Sequence, residues 1–188
     1  MRAYYRDSST CDLSLPHDTG RPVSEENLRT LGLKFWKLTG SDDDLEENFR
    51  AIGEEMGFIE GSRQRSLQDF AKIEPKAIET EVKFFAQDVL LLTDVLSFIK
   101  KGNVYYDIKD AHTNDYIRIL VGPGEIYFGP QGSIIQAYPI ADVDLGTFCV
   151  DELYKTSEPL DKQPPFIQGQ DLRSNPLRIA YLTSIGVA

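Results

Sequence analysis

The stretch from Val89 to Ile99 constrains this chain most, because it is apolar at every position except Thr93, Asp94 and Ser97. Its two alternating sets, Val89/Leu91/Val95/Ile99 and Leu90/Leu92/Leu96/Phe98, are both greasy. A strand with two apolar faces must be covered on both sides. It is therefore expected as a central strand, with a helical pattern before it and short strands after it.

The residues before this stretch read as helices. Ser24 is an N-cap ahead of Glu25-Glu26 and of Leu28 and Leu31, with Gly32 as the stop. Ser41 opens a second helix whose first turn is acidic, with Leu45, Phe49, Ile52 and Met56 at helical spacing up to Gly57. Pro75 begins a third, with Ile78, Val82 and Phe85 on its inner face. Met1 to Tyr5 reads as a short edge strand, and Leu33 to Leu38 as another extended segment.

Past Val89 the texture changes. Strands are expected near 89–100, 104–109, 115–121, 125–128, 133–140, 146–154 and 177–182, separated by Gly, Pro and Asn turns such as Lys101-Gly102-Asn103 and Gly129-Pro130-Gln131-Gly132. Strands this short and this closely spaced indicate a jelly-roll barrel. The class is thus α+β, mainly β. One domain is expected over 1–188: a strand and helical layer in 1–86, a barrel core in 87–160, and a segment in 161–188 that completes or caps it.

The 188 residues carry a formal net charge of -10, and Lys100-Lys101 is the basic pair nearest to a patch. Such a field repels phosphate backbones, so neither nucleic acid nor an anionic membrane is expected as a partner. Two cysteines, Cys11 and Cys149, make no disulfide framework, and with no apolar leader the reading is cytoplasmic.

Particular segments carry a family resemblance. They are Met1-Arg2-Ala3-Tyr4-Tyr5, Leu15-Pro16-His17, Leu33-Lys34-Phe35-Trp36-Lys37-Leu38, Phe98 to Ile108, Tyr116-Ile117-Arg118-Ile119, and Gly124-Glu125-Ile126 followed by Gly129-Pro130-Gln131-Gly132. In one colinear register from residue 1 to about 155 the chain resembles the acireductone dioxygenases. Those are cupins, small antiparallel barrels that use Fe²⁺ or Ni²⁺ in methionine salvage. The resemblance implies the cupin, or double-stranded β-helix, fold.

The family's ligands are a His-x-His pair, a Glu four residues on, and a distal His. In the register set by Gly102, Tyr105, Asp107 and Gly132 they fall on Val89, Leu91, Val95 and Ile135. All four are aliphatic. The whole chain has two histidines, His17 and His112, so a three-histidine, one-carboxylate centre cannot be assembled from it. No metal and no cofactor are expected. Imidazole and carboxylate are what iron or nickel needs here, and an oxygen-only site from Asp88, Asp94 and Glu125 is opposed by alternation, which turns Asp94 away from Val89, Leu91 and Val95.

Three readings follow. In the first, the aliphatic positions form the floor of a dry pocket for a largely apolar small molecule, bound or transformed without metal by isomerisation, cyclisation or dehydration. Its lining would be Val89, Leu91, Thr93, Val95, Ser97 and Ile135, with Tyr106, Tyr127, Gln136 and Tyr138 as neighbours of unfixed facing. No nucleophile–base pair stands out, so catalytic residues are left unassigned. The second reading is a non-catalytic relative acting through protein contacts, including homo- or hetero-oligomers; the third is a working acireductone dioxygenase.

Overall fold

A computed structural model describes residues 1–7, 12–169 and 171–188. Cys11 lies outside the described residues. The strands are β1 (Arg2–Arg6), β2 (Asp18–Pro22), β3 (Lys34–Lys37), β4 (Gln64–Asp69), β5 (Val89–Leu91), β6 (Val95–Lys101), β7 (Val104–Lys109), β8 (Tyr116–Val121), β9 (Glu125–Gly129), β10 (Ile134–Pro139), β11 (Cys149–Tyr154) and β12 (Phe166–Ile167). The helices are α1 (Glu25–Thr30), α2 (Asp42–Glu55), α3 (Pro75–Phe85) and α4 (Pro176–Ser184). Three single 3₁₀ turns complete the list.

The strands form two antiparallel sheets, of order β12-β5-β10-β7-β8-β1-β2 and β3-β9-β6-β11-β4. Between them lies the main core, where Val89, Leu91, Ile108, Ile119 and Ile135 of the first sheet meet Val95, Ile99, Tyr127, Val150 and Tyr154 of the second. The alternation of Val89 to Ile99 now has its explanation. The odd set points between the sheets, whereas Leu96 and Phe98 pack outward against Phe49 and Phe58 beneath α2. Leu90 packs outward against Ile134 and Leu172.

The helices begin as their caps dictate. Ser24 accepts from the Asn27 amide, Ser41 and Asp44 make a reciprocal capping box, and Pro75 occupies the first turn of α3. The third helix brings Ile78 into the main core with Val82 and Phe85 against it, so it covers one end of the barrel.

Several expectations are corrected. The stretch 89–100 is two strands rather than one: β5 belongs to the seven-stranded sheet and β6 to the five-stranded sheet, and the chain crosses between them at Leu92–Asp94. The crossing is held by side chains, with Thr93 Oγ1 donating to the Lys155 carbonyl at 2.7 Å and the Gln131 amide donating to Asp94 at 2.9 Å. The expected strand at 177–182 is the helix α4, capped by the Asn175 side chain and begun by Pro176. Leu177, Tyr181 and Ile185 recur every fourth residue, which is a helical stripe. The strand expected from 146 starts at Cys149, after a 3₁₀ turn over Leu145–Thr147.

The barrel also draws on more of the chain than 87–160. The first strand is no edge, because β8 flanks it on one side and β2 on the other. Strands β3 and β4 form both edges of the five-stranded sheet, and β12 from the C-terminal segment extends the other sheet beyond β5.

On the outer face of the seven-stranded sheet, Asp107 and Arg118 stand opposite each other on β7 and β8. Their two parallel hydrogen bonds are both 2.7 Å, and neither side chain touches solvent. The Arg6 guanidinium reaches the same carboxylate at 3.2 Å. Arg118 also donates to the Leu15 and Pro16 carbonyls, and that loop is how the pair is covered.

Candidate functional site

A cavity of about 60 Å³ lies between the two sheets. Its aliphatic wall includes Leu91, Val95, Val104, Ile135 and Val150. One end is closed by Phe85 of α3 and Phe166 of β12, whose rings meet edge to face at 5.1 Å. Outside that end a surface depression of about 390 Å³ shares Gln68, Glu81, Phe85 and Phe166 with the cavity. This is the side from which a small molecule could enter.

Of the six positions expected to line a pocket, Leu91, Val95, Ser97 and Ile135 do so. Val89 is wholly buried behind them, paired to Ile135 across β5 and β10. Thr93 is corrected: it sits at the sheet crossing, outside the cavity lining, and its hydroxyl is spent on Lys155. Tyr106 and Tyr127 line the cavity, stacked with ring centroids 4.6 Å apart. Gln136 and Tyr138 face the other way, towards Asp88 and the Ala86 carbonyl.

The residue that the sequence did not point to is Glu152. Along β11, Val150, Glu152 and Tyr154 face inward while Asp151 faces outward to Arg65 and Lys100. The Glu152 carboxyl accepts from Ser97 Oγ at 2.9 Å on one oxygen and from the Tyr154 hydroxyl on the other. Burial nevertheless raises it above the ordinary glutamate range, and the neighbouring Glu81 carboxyl adds to the rise. Burial also raises Glu81, at the mouth. A lone acid in an alternating apolar strand was the available signal, and the adjacent Asp151 masked it.

Cross-strand register assembles these groups. Tyr127, Ser97 and Glu152 occupy directly opposed positions on β9, β6 and β11. They therefore make one polar row across an apolar wall, all on the cavity side. An acid that burial raises above its ordinary range and buried hydroxyls in a small cavity can bind a polar group and move a proton.

At Val89, Leu91, Val95 and Ile135, the positions that the sequence register assigns to the ligands, aliphatic side chains offer no donor atom, so the donor set of those four residues does not fit iron or nickel. Asp88, Asp94 and Glu125 are dispersed: Asp88 accepts from Gln136, Asp94 from Gln131, and Glu125 from the Gly122 amide. Among the described residues no group of three or more His, Cys, Asp or Glu is placed to hold a metal ion. No helix among them is long and apolar enough to cross a membrane.

Two facing antiparallel sheets around a cavity make a β-barrel of the kind cupins have, and a solved structure shows the same fold. Acireductone dioxygenase from Bacillus anthracis, with a cadmium ion in its active centre, superposes with a TM-score of 0.59 at 11% identity over 84% of this chain and 94% of that one. No family model matches the chain. Among curated proteins, acireductone dioxygenase 1 of Coprinopsis cinerea is 29% identical over 191 aligned positions, spanning 100% of this chain and 99% of that one. Acireductone dioxygenase of Rattus norvegicus is 34% identical over 137, covering 70% of this chain and 72% of that one. The chain belongs to the acireductone dioxygenase family.

Proposed function

We propose that this cupin works without a metal, binding or transforming a small, largely apolar molecule in the cavity between its sheets. The observation that carries this reading is the cavity itself, open in volume yet floored by Leu91, Val95 and Ile135. Aliphatic side chains close a metal centre but favour an apolar ligand, which gains by leaving water. Hydroxyls and one acid on one wall supply the few directional contacts such a site uses. The chemistry consistent with them is isomerisation, cyclisation or dehydration. A cytosolic location belongs to the same proposal and is supported by the low cysteine count.

Native mass spectrometry of the protein purified from its own source tests this reading. A copurifying small molecule, released on denaturation and absent after exchange with an excess of competing apolar compound, is expected. A chain that carries no small molecule and takes up none from a panel of apolar compounds would leave only the non-catalytic reading.

A further inference from the structure

Tyr127 asks for a ligand. Its hydroxyl is completely buried on the cavity wall and has no hydrogen-bond partner among the described residues. The ring cannot turn freely to find one, since it stacks on Tyr106 and leans against Phe35 at 5.6 Å. A buried donor without an acceptor is costly, and an acceptor oxygen inside the cavity would satisfy it. Two positions along the same row stands Glu152, the acid that faces the same space.

We propose, building on the metal-independent reading above, that the cavity takes a small, otherwise apolar carbonyl compound, with Tyr127 donating to its oxygen and Glu152 as the catalytic residue that moves a proton. The Glu152 carboxylate takes the proton from the carbon beside the carbonyl. The C–H electron pair becomes the new C=C bond, the C=O π pair moves onto oxygen, and the Tyr127 hydroxyl holds the oxyanion. Glu152 then returns the proton to a different atom of the same molecule, giving a tautomer or a shifted double bond. Nothing is oxidised or reduced.

The surroundings of Glu152 suit this role. Ser97 on β6 and Tyr154 on its own strand donate to its two oxygens; each oxygen keeps a further lone pair for substrate. The groups facing it are Tyr106 from β7 and Glu81 from α3, with Asp151 next to it in the chain but turned to the outer face. Burial first, and then the Glu81 and Asp151 carboxyls, disfavour its ionisation against the opposing Tyr154 and Ser97 hydrogen bonds, so the carboxylate is a stronger base than a solvated one. Proton transfer should accordingly rise with pH through a value above the ordinary glutamate range.

The test uses acetone, butanone and cyclopentanone as probes in D₂O, with saturation-transfer NMR reporting binding and loss of the α-proton signal reporting exchange. The wild-type chain should bind at least one ketone and accelerate its exchange. Glu152→Gln should keep binding and lose roughly 10²–10⁴-fold in exchange, and Tyr127→Phe roughly 10²-fold. Ser97→Ala, which removes one donor to the carboxylate, should move the pH profile upward without abolishing exchange. Binding without accelerated exchange, or exchange unchanged in a folded Glu152→Gln chain, overturns the assignment and leaves the pocket reading standing. A wild-type chain that binds none of the ketones overturns the carbonyl assignment, while the pocket reading falls only if the panel of apolar compounds also fails to bind.

Discussion

Ser97 and Glu152 stand directly opposite each other on neighbouring strands, and the Ser97 hydroxyl donates to Glu152 Oε1 at 2.9 Å inside the barrel. The pair keeps a carboxyl soluble in an apolar interior, and its cost depends on pH. Because burial raises Glu152 in the folded state, the native chain holds its proton more tightly than the unfolded one. The resulting stability is fully present below the unfolded value and is lost as pH rises through the folded one. Glu152→Gln removes this loss. Its melting temperature should exceed that of the wild type at alkaline pH, and the difference should close in acid, where the wild-type group is also neutral. Thermal melts of both chains across pH measure this.

Ser97→Ala should raise Glu152 further. The hydroxyl donates to the ionised carboxyl and so favours it; without that bond, burial acts with less opposition. The carboxylic-acid band in the infrared spectrum should persist to higher pH than in the wild type. An unchanged or earlier disappearance would show that the Ser97 bond does not act on this carboxyl.

Alternation made legible which residues share a face, since period two survives the crossing between β5 and β6 and leaves Leu91, Val95 and Ser97 together on the cavity side, but with both sets apolar it did not tell which face is the interior. Thr93 was not legible, because it lies in the three residues where the chain changes sheets and local periodicity no longer reports facing. The four aliphatic positions were legible only through the family register. Glu152 was hidden by Asp151, whose partners Arg65 and Lys100 lie on remote segments. The C-terminal helix was readable in principle from Asn175-Pro176, a cap and first-turn signal outweighed by the apolar character of the segment.

Asp107 and Arg118 should be a sensitive point for stability. Asp107→Asn leaves the Arg118 and Arg6 guanidinium groups buried without a counter-charge, which should cost about 3–5 kcal/mol. Chemical denaturation should show a lower midpoint with an unchanged slope. A loss comparable to that of an exposed ion pair would mean the pair is solvated in solution.

Gly132→Ala tests how α4 docks on the barrel. The glycine has φ +83°, and an added Cβ would clash with the Leu177 carbonyl and lie 2.6 Å from Cβ of Tyr181. Backbone strain and overpacking together should cost about 3 kcal/mol or more. Equal denaturation midpoints for the two chains would place α4 away from this turn.

The central claim is that the barrel has an aliphatic floor where its relatives' register carries metal ligands, and that it functions without a metal. Elemental analysis of the purified chain, grown with iron and nickel supplied and paired with oxygen-uptake measurements on an acireductone, tests it most directly. Only traces of either metal and no oxygen uptake above buffer are predicted. One equivalent of iron or nickel per chain, with oxygen consumed, would contradict the account.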